Sequence, residues 1–240
     1  MATIACRRGD AFLLLDTYSK LRRNLEVARA QGATKFVVLL STGSYNPVHV
    51  QHVNMFDVAK VNMEQQDPSL AVVAGFMSPS HDDYVRNKLR LDAIPSSERL
   101  QMVHDATYDH PFVAAHDWEA SQNRFYDFSQ VSRAVQKEIK SKFGPDVTIY
   151  YLCGADHMRK CGLQKGMKGV GVVAVQRKGV STPYVPKEAR KKDVMIITGD
   201  FVSGVSSTEV RKRLKKKGKC ANLNGLLHPA VAERMKSRYG

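Results

Sequence analysis

The sequence of 240 residues predicts an α/β fold with a mostly parallel sheet flanked by helices. Short apolar runs alternate along the chain with segments whose apolar residues recur at helical spacing. These helical segments have about ten residues or more, which is the length that a crossover between parallel strands requires. With 43% hydrophobic and 25% charged residues, the chain has the composition of a globular protein with a buried core.

The individual elements follow from the same patterns. Apolar residues at helical spacing predict a helix over residues 10–31, which Gly32 would end. A further helical segment begins at Ser207 and is interrupted at residues 217–219. The other predicted elements are strands near 36–40, 70–76, 112–115, 147–152, 170–175 and 195–197, and helices near 50–63, 95–107 and 128–143.

Basic residues outnumber acidic ones, 37 against 23, and the net charge of +14 predicts anionic partners. Much of this charge lies in the runs 187–192 and 211–219, which are equally typical of a solvated helix face. Proteins that bind single-stranded nucleic acid place stacking aromatic residues among their basic ones, and the run 211–219 has none. We therefore expect small phosphorylated substrates and no nucleic acid. The run 211–219 is also a candidate nuclear targeting patch.

The cysteines and the apolar runs indicate the compartment. The four cysteines show no CxxC pair and no histidine at zinc spacing, which predicts reduced thiols without a disulfide framework or a structural zinc site. No apolar run approaches the ~18–20 residues of a membrane-spanning helix, so we expect no membrane partner. The N-terminal segment has only the short apolar core AFLLL and no small-residue cleavage site. We expect a cytoplasmic protein, with the nucleus as the alternative.

The segment after the first predicted strand is a candidate phosphate site. Gly43 permits a tight turn in which backbone N–H groups face an anion, and the next helix adds the partial positive charge of its N-terminus. His49 and His52 are three residues apart, so they share one helix face and point at one volume. Two such donors would bind a triphosphate and stabilise charge during phosphoryl transfer. A turn followed by two surface histidines is the simpler alternative.

Residues suited to nucleotide binding also follow the later strands, where ligands bind in parallel α/β sheets. Gly154 ends a predicted strand, and Asp156 is placed to accept hydrogen bonds from ribose hydroxyls. Arg177 follows the next strand and would meet a phosphate or a base. Residues 204–211 place hydroxyl side chains at a helix start, one turn before Arg211, although an ordinary capping box has the same pattern.

Two further segments are candidates for ligand binding, although a purely structural role is a strong alternative for each. A basic loop after the second strand, which includes Arg86, Lys88 and Arg90, would hold a substrate phosphate or be an ordinary polar loop. Trp118 is the only tryptophan and would either belong to the core or, beside Glu119, stack on an aromatic ring of a ligand.

In their order and spacing, these motifs resemble the eukaryotic-like nicotinamide/nicotinate mononucleotide adenylyltransferases, members of the HxGH-type nucleotidyltransferase superfamily. The segment GSYNPVHVQH (43–52) looks like the first signature of that superfamily, and SPSHDDY, IPSSER, DWE, CGAD, QRKG and VSSTEVR follow in the order of the family. The resemblance covers residues 36–235. It implies a Rossmann-like, doubly wound fold, with residues 36–240 as the nucleotidyltransferase domain and residues 1–35 as an N-terminal helical extension.

The resemblance also implies an activity in NAD biosynthesis. Such an enzyme transfers AMP from ATP to nicotinamide mononucleotide or nicotinate mononucleotide, and forms NAD or deamido-NAD plus pyrophosphate. The 5′-phosphate of the mononucleotide attacks the α-phosphorus directly, so the protein orients both anions and spreads the developing charge. Mg2+ is expected with ATP, held mainly by the triphosphate and water. The N-terminal extension is a candidate for contacts in a homo-oligomer.

Site roles carry over from the resemblance. His52, His49, Lys88 and Arg211 are the candidate catalytic residues, with His52 the main stabiliser of the transition state and Arg86 the alternative to Lys88. Arg99 is a further candidate phosphate contact. The candidate ATP-binding residues are Gly43, Ser44, His49, His52, Gly154, Asp156, Arg177, Ser206, Ser207, Thr208 and Arg211. The candidate mononucleotide-binding residues are Ser44, Tyr45, Asn46, Lys88, Trp118 and Glu119, with the indole stacking on the pyridine ring. No metal ligand from the protein is expected.

Another nucleotidyltransferase of the superfamily is the alternative enzyme, either a pantetheine-phosphate adenylyltransferase or a cytidylyltransferase. These enzymes share the first signature and the late helix start, whereas the Trp118–Glu119 pair and the CGAD segment favour the mononucleotide enzymes. His81 and Asp83 stand where the family usually has small residues, which would alter the rim of the mononucleotide site. The sequence leaves open the preference between amide and acid substrates, and the oligomeric state.

Overall fold

The computed structural model describes residues 16–177, 182–190, 193–199 and 205–239. Its centre is a six-stranded sheet in which all neighbouring strands run parallel. The strands are β1 (Lys35–Gly43), β2 (Leu70–Pro79), β3 (Val113–Ala115), β4 (Val147–Gly154), β5 (Gly171–Arg177) and β6 (Val194–Gly199). The helices are α1 (Ser19–Ala30), α2 (Val50–Gln66), α3 (Asp82–Leu89), α4 (Ser96–Thr107), α5 (Phe128–Phe143), α6 (Ala155–Cys161), α7 (Lys187–Arg190), α8 (Ser207–Lys217) and α9 (Pro229–Arg238).

The strand order in the sheet is β3-β2-β1-β4-β5-β6, so the direction of winding reverses between β1 and β4. This reversal is the doubly wound, Rossmann-like arrangement, in which crossover helices cover both faces of the sheet. The predicted fold class is therefore confirmed. The reversal also opens a crevice at the C-terminal ends of β1 and β4, where ligands of such folds bind.

Both faces of the sheet are buried, which explains why the strands read as continuous apolar runs in the sequence. Along β1, Val37 and Leu39 pack on one face, against residues of α2, α4, α8 and α9. Val38 and Leu40 pack on the other face, against residues of α1, α5 and α6. The alternation follows from the two-residue period of a strand.

Several strands extend beyond their predicted ends. β1 continues past residue 40 because Ser41 pairs with Met77 and Thr42 pairs with Ser78 in the ladder with β2. Polar side chains marked the end of the strand in the sequence, but the backbone ladder does not depend on them. The extension carries hydroxyl side chains to the edge of the crevice.

The prediction of a basic loop after β2 was wrong, because residues 82–89 form helix α3. The His81 side chain accepts a hydrogen bond from the Asp83 backbone N–H (3.2 Å) and caps the helix. Acidic residues in the first turn and basic residues in the last turn complement the helix dipole. The polar composition that indicated a loop is therefore the charge pattern of a short surface helix.

Helix α1 confirms part of the helix predicted over residues 10–31, and residues 1–15 lie outside the described residues. Leu21 and Leu25 of α1 are buried in the same core cluster as α5 and α6. The division at residue 35 stays a prediction. Among the helices of the described segments, none is long and apolar enough to cross a membrane.

Candidate active site

A cavity of about 280 Å³ lies in the crevice where the winding of the sheet reverses. It is lined by the ends of β1, β4 and β5 and by the first turns of α2 and α6. This is the position that the doubly wound fold predicts for a ligand. The lining residues proposed from the sequence are Gly43, Tyr45, His49, His52 and Gly154.

His49 and His52 stack on each other at the start of α2. Their ring centroids are 3.5 Å apart, with 18° between the ring planes. His49 is the N-cap residue, and its backbone N–H donates to Nδ1 of His52 (3.1 Å) while the backbone N–H of His52 donates to the side chain of His49. This is a capping box built from two histidines. Since Nδ1 of His52 accepts, Nε2 carries the proton in the neutral ring and is a donor toward an anionic ligand.

Tyr45, and not Gly43, forms the tight turn after β1, which corrects the role expected of the glycine. Tyr45 has a φ of 41°, whereas Gly43 is the last residue of the strand. A Cβ atom on Gly43 would lie 3.2 Å from the Tyr45 ring, so the missing side chain makes room for that ring. The buried Tyr45 hydroxyl donates to the Ser41 carbonyl (3.1 Å), and its ring meets His52 edge to face.

The Asn46 side chain holds the loop, and its contact with the mononucleotide stays a prediction. It is buried, donates to the Asp92 carbonyl (2.7 Å) and accepts from the Ile94 N–H (2.8 Å). These bonds use the amide nitrogen and the amide oxygen. They fix the segment between β1 and α2 to the segment before α4.

The start of α8 fastens the same loop from the other side. Arg211 Nη1 donates to the Asn46 carbonyl (2.7 Å), and Ser207 Oγ donates to the Pro47 carbonyl (2.8 Å). Ser206 caps the helix by accepting from the Glu209 N–H, and Thr208 lies 3.4 Å from Arg211 Nη2. The predicted helix start is confirmed, and two of its polar side chains, Ser207 and Arg211, hold the loop that carries the histidines. Gly204 lies outside the described residues.

The predicted phosphate contact at Arg99 was wrong, because the residue is 0% exposed. Its guanidinium donates to the carbonyls of Ile94 (2.8 Å), Ser44 (2.9 Å) and Ser80 (2.6 Å), and to the Asp82 carboxylate (2.9 Å). Arg99 therefore ties the ends of β1 and β2 to the starts of α3 and α4. The planar fork of arginine suits this task because it presents five donors in fixed directions.

Lys88, and not Arg86, lies beside Ser44. Lys88 Nζ lies 3.4 Å from the Ser44 hydroxyl, and burial lowers the pKa of its ammonium group, with Lys160 and Arg211 adding to the shift. Arg86 is exposed and pairs with Asp82 on its own helix. The cluster of positive charge around Ser44 is the setting in which an anionic ligand would be stabilised.

A chain of polar side chains that the sequence did not predict lines the cavity. Thr42 Oγ1 lies 3.1 Å from the Tyr151 hydroxyl, which lies 3.3 Å from Nε2 of His157. All three residues line the cavity. Burial lowers the pKa of His157, followed by the charges of Lys160 and Lys88. The signal was present, since His157 comes three residues after Gly154 at a strand end.

Of the three residues proposed to bind adenosine, Gly154 lines the cavity and Asp156 does not. A Cβ atom on Gly154 would meet nothing within 4 Å, so open space lies beside its backbone at the cavity. Asp156 lies in the first turn of α6 with its side chain exposed, outside the set of residues that line the cavity. Arg177 ends β5, and its side chain lies outside the described part of the chain.

Trp118 and Glu119 lie on the segment between β3 and α5, and their side chains contact different parts of the protein. The Trp118 indole packs edge to face on Tyr126 (5.5 Å) and borders a second hollow beside α5, outside the histidine cavity. Glu119 is 1% exposed, and burial raises its pKa to about 7, against the opposing effects of Ser80 and Arg99. Glu119 thus sits beside the guanidinium that holds Ser44.

The described segments contain no group of three or more His, Cys, Asp or Glu side chains arranged to hold a metal ion. The residues around the cavity are mainly imidazole, hydroxyl and backbone groups.

Comparisons with known proteins agree with this architecture. The family model described as cytidylyltransferase-like matches residues 40–213. A nicotinamide/nicotinic acid mononucleotide adenylyltransferase 2 of Caenorhabditis elegans is 31% identical over 204 residues, which cover 76% of this chain and 89% of the relative. A nicotinamide/nicotinic acid mononucleotide adenylyltransferase of Oryza sativa subsp. japonica is 28% identical over 213 residues, 80% of this chain and 82% of the relative.

Solved structures show the same fold. The nicotinic acid mononucleotide adenylyltransferase of Plasmodium falciparum, complexed with APC, superposes with a TM-score of 0.56 at 16% identity, over 84% of this chain and 95% of the other. Its complex with NaAD gives a TM-score of 0.53 at 15% identity. The family match covers most of the described sheet, and the nematode relative is matched along nearly its whole length. The chain therefore belongs to the nicotinamide/nicotinic acid mononucleotide adenylyltransferases, within the cytidylyltransferase-like family.

Proposed function

We propose that this chain transfers the AMP moiety of ATP to nicotinamide mononucleotide, nicotinate mononucleotide or both, and so forms NAD or deamido-NAD plus pyrophosphate. The observation that carries the proposal is the stacked His49–His52 pair. The pair lines the cavity at the point where the winding of the sheet reverses. Membership of the adenylyltransferase family supports the same reaction. The names of these relatives cover both the amide and the acid substrate.

The reaction needs no nucleophile from the protein. An oxygen of the mononucleotide 5′-phosphate forms a bond to the α-phosphorus of ATP, and the bond from that phosphorus to the oxygen bridging the β-phosphorus breaks. Pyrophosphate leaves with the bonding electrons. The task of the protein is to align two anions and to stabilise the negative charge that spreads over the transferring group.

His52 is proposed as the main stabiliser of that charge, with His49 as its assistant. The Nε2 donor of His52 can bond a phosphate oxygen because Nδ1 is occupied by the N–H of His49. Two imidazolium ions stacked at 3.5 Å would repel each other, so the pair favours at most one positive charge before the triphosphate binds. The partial positive charge at the start of α2 adds to the effect.

Lys88 and Ser44 are proposed to bind phosphate groups where the two substrates meet. Lys88 Nζ and the Ser44 hydroxyl lie 3.4 Å apart beside the first loop. Arg211, Ser206, Ser207 and Thr208 are proposed to bind the triphosphate, and Arg211 and Ser207 also hold the loop. Gly154 is proposed to admit the adenosine, with Asp156 and Arg177 as candidates for its ribose and base.

The segment that carries Trp118 and Glu119 is proposed as the wall of the pyridine-ring subsite. Glu119 lies beside Arg99, whose guanidinium also holds the Ser44 carbonyl, so this wall is connected to the phosphate site. An uncharged Glu119 carboxyl could donate a hydrogen bond to a ring substituent near neutral pH, since its pKa is raised to about 7.

We further propose that Mg2+ enters the site with ATP. The ion would neutralise part of the triphosphate charge and favour the departure of pyrophosphate. Hydroxyl groups of Ser41 and Thr42 line the cavity, and the described residues contain no group of three or more His, Cys, Asp or Glu side chains that could hold a metal ion. This donor set fits an ion held mainly by phosphate oxygens and water. A cytoplasmic or nuclear location and a homo-oligomeric assembly belong to the same proposal.

A panel of substrate pairs tests the function. ATP is supplied with nicotinamide mononucleotide, with nicotinate mononucleotide and with phosphopantetheine, and CTP is supplied with a phosphoalcohol. We expect pyrophosphate release and dinucleotide formation with one or both mononucleotides, and the ratio of their kcat/KM values gives the amide-to-acid preference. Turnover confined to phosphopantetheine or to CTP would refute the proposal in favour of another member of the superfamily.

A further inference from the structure

Tyr18, the residue before α1, is held tightly between a strand and a helix. Its ring lies edge to face with Phe76 of β2 at 5.6 Å and against Phe143 of α5 at 5.5 Å. The Lys142 ammonium lies 4.5 Å from the centre of the ring. With these neighbours on both sides, the direction of the Tyr18 hydroxyl is fixed.

The hydroxyl of Tyr18 meets His116, which is 1% exposed and follows β3. The distance from the Tyr18 oxygen to Nε2 of His116 is 3.2 Å. The Nδ1 atom of the same ring accepts the backbone N–H of Trp118 at 3.4 Å. Because Nδ1 accepts, Nε2 bears the proton and donates to the hydroxyl oxygen of Tyr18.

A chain of hydrogen bonds therefore runs from Tyr18, whose ring packs on Phe143 of α5, through His116 to the backbone of Trp118. This chain matters because β3 has three residues and pairs with β2 alone, at the edge of the sheet. Such a short edge strand fixes the chain beyond it only weakly. The position of the segment after β3 then depends on side-chain contacts.

Helix α1 fixes the other end of β3 as well. Lys20 Nζ donates to the carbonyls of Thr107 (2.6 Å) and Val113 (2.8 Å), and the Asn24 amide donates to the carbonyl of Val73 on β2 (3.1 Å). The helix thus bridges the central sheet, the entry to β3 and the exit from β3.

We propose that α1 positions the mononucleotide side of the active site, with Tyr18 and His116 as positioning residues for the segment that carries Trp118 and Glu119. This inference rests on the proposed function, because it assigns that segment to the mononucleotide. It gives the N-terminal extension a role in substrate affinity. Neither Tyr18 nor His116 contacts the histidine cavity.

Steady-state kinetics of Tyr18→Phe test the proposal. The substitution removes the hydroxyl and keeps the ring between Phe76 and Phe143. We expect KM for the mononucleotide to rise about three- to tenfold, the factor that corresponds to one net hydrogen bond, while KM for ATP stays within about twofold. Tyr184→Phe is the matched control, because Tyr184 is 78% exposed, and it should leave both constants unchanged.

The fluorescence of Trp118 gives a second readout without turnover, since the chain has one tryptophan. In Tyr18→Phe we expect Trp118 to become more accessible to an added quencher in the folded protein, at a temperature well below unfolding. A variant that keeps both the wild-type quenching and the wild-type KM for the mononucleotide would overturn the inference while the wild type still forms dinucleotide. Equal rises in both KM values would also overturn it. Absence of dinucleotide formation by the wild type would instead refute the proposed function.

Discussion

Lys88 and Arg86 lie two residues apart on α3, and their surroundings separate their roles. The Lys88 ammonium is directed at Ser44, and burial together with Lys160 and Arg211 lowers its pKa. The Arg86 side chain is 66% exposed and pairs with Asp82. A cation that is partly desolvated among other cations gains most when an anion arrives, so Lys88 is the stronger candidate for a phosphate contact.

The first prediction compares these two side chains. Lys88→Ala should lower kcat/KM for dinucleotide formation roughly 10- to 100-fold, as the loss of one charge-assisted hydrogen bond implies. Arg86→Ala, the matched control, should change it by less than about twofold, because exposed ion pairs contribute little. Equal effects of the two substitutions, measured in the same assay, would remove Lys88 from the site.

The second prediction concerns the buried Glu119 carboxyl. Burial raises its pKa from 4.5 to about 7, so between these values the folded protein holds a proton that the unfolded chain has released. The stability that the protonated carboxyl contributes is present below the unfolded pKa and is lost as the pH rises through 7. Glu119→Gln has no such titration. Its free energy of unfolding, relative to wild type, should therefore increase from about pH 5 to about pH 8.

Urea denaturation of both proteins at the two pH values measures the effect. Glu26→Gln is the matched control, because Glu26 is an exposed residue of α1. Its stability relative to wild type should not vary with pH. A Glu119→Gln difference that is constant across this range would show that Glu119 ionises as an ordinary exposed carboxyl does.

At the scale of elements, the loop between β1 and α2 is held by its neighbours more than by its own residues. The Arg99 guanidinium binds it from α4, the Arg211 guanidinium and the Ser207 hydroxyl bind it from α8, and Asn46 binds the segment before α4. Two helices that are distant in sequence, together with the segment before α4, thus fix the backbone that carries the two histidines. Such support is what precise alignment of two substrates requires.

The third prediction tests this support through Arg99→Lys. A lysine keeps one positive charge for Asp82 but cannot reach the carbonyls of Ile94, Ser44 and Ser80 together. We expect the free energy of unfolding to fall by roughly 2–4 kcal/mol, because buried acceptors lose their donors. Arg86→Lys on the exposed side of α3 should cost much less. Equal losses in urea denaturation would contradict the role assigned to Arg99.

At the scale of the whole molecule, the alternation of strands and helices made the fold class predictable. Helix α5 lies at residues 128–143 as predicted, because its apolar positions recur with a clear helical period. The capping box of Asp127 and Gln130 also marks its start. The strand order was not predictable, since it depends on which strands pair across the chain and not on local pattern.

The candidate site was predictable in part. The positions of His49, His52 and Gly154 at the cavity follow from the rule that ligands bind at the C-terminal ends of parallel strands. The roles of Asn46 and Arg99 could not be predicted, because their partners are backbone carbonyls and N–H groups far away in the sequence. Helix α3 was missed because its charges read as a loop.

Turnover of His52→Gln, compared with wild type, tests the central claim most directly. Glutamine is an ordinary residue at the third position of a capping box, so it can still accept the His49 N–H and keep the start of α2 intact. Its amide is a flexible, uncharged donor that cannot become cationic as an imidazole can, and we expect kcat for dinucleotide formation to fall by about 10²–10³ with little change in thermal unfolding. His104→Gln on α4 is the matched control and should retain wild-type turnover. A His52→Gln enzyme with wild-type kcat would contradict the account.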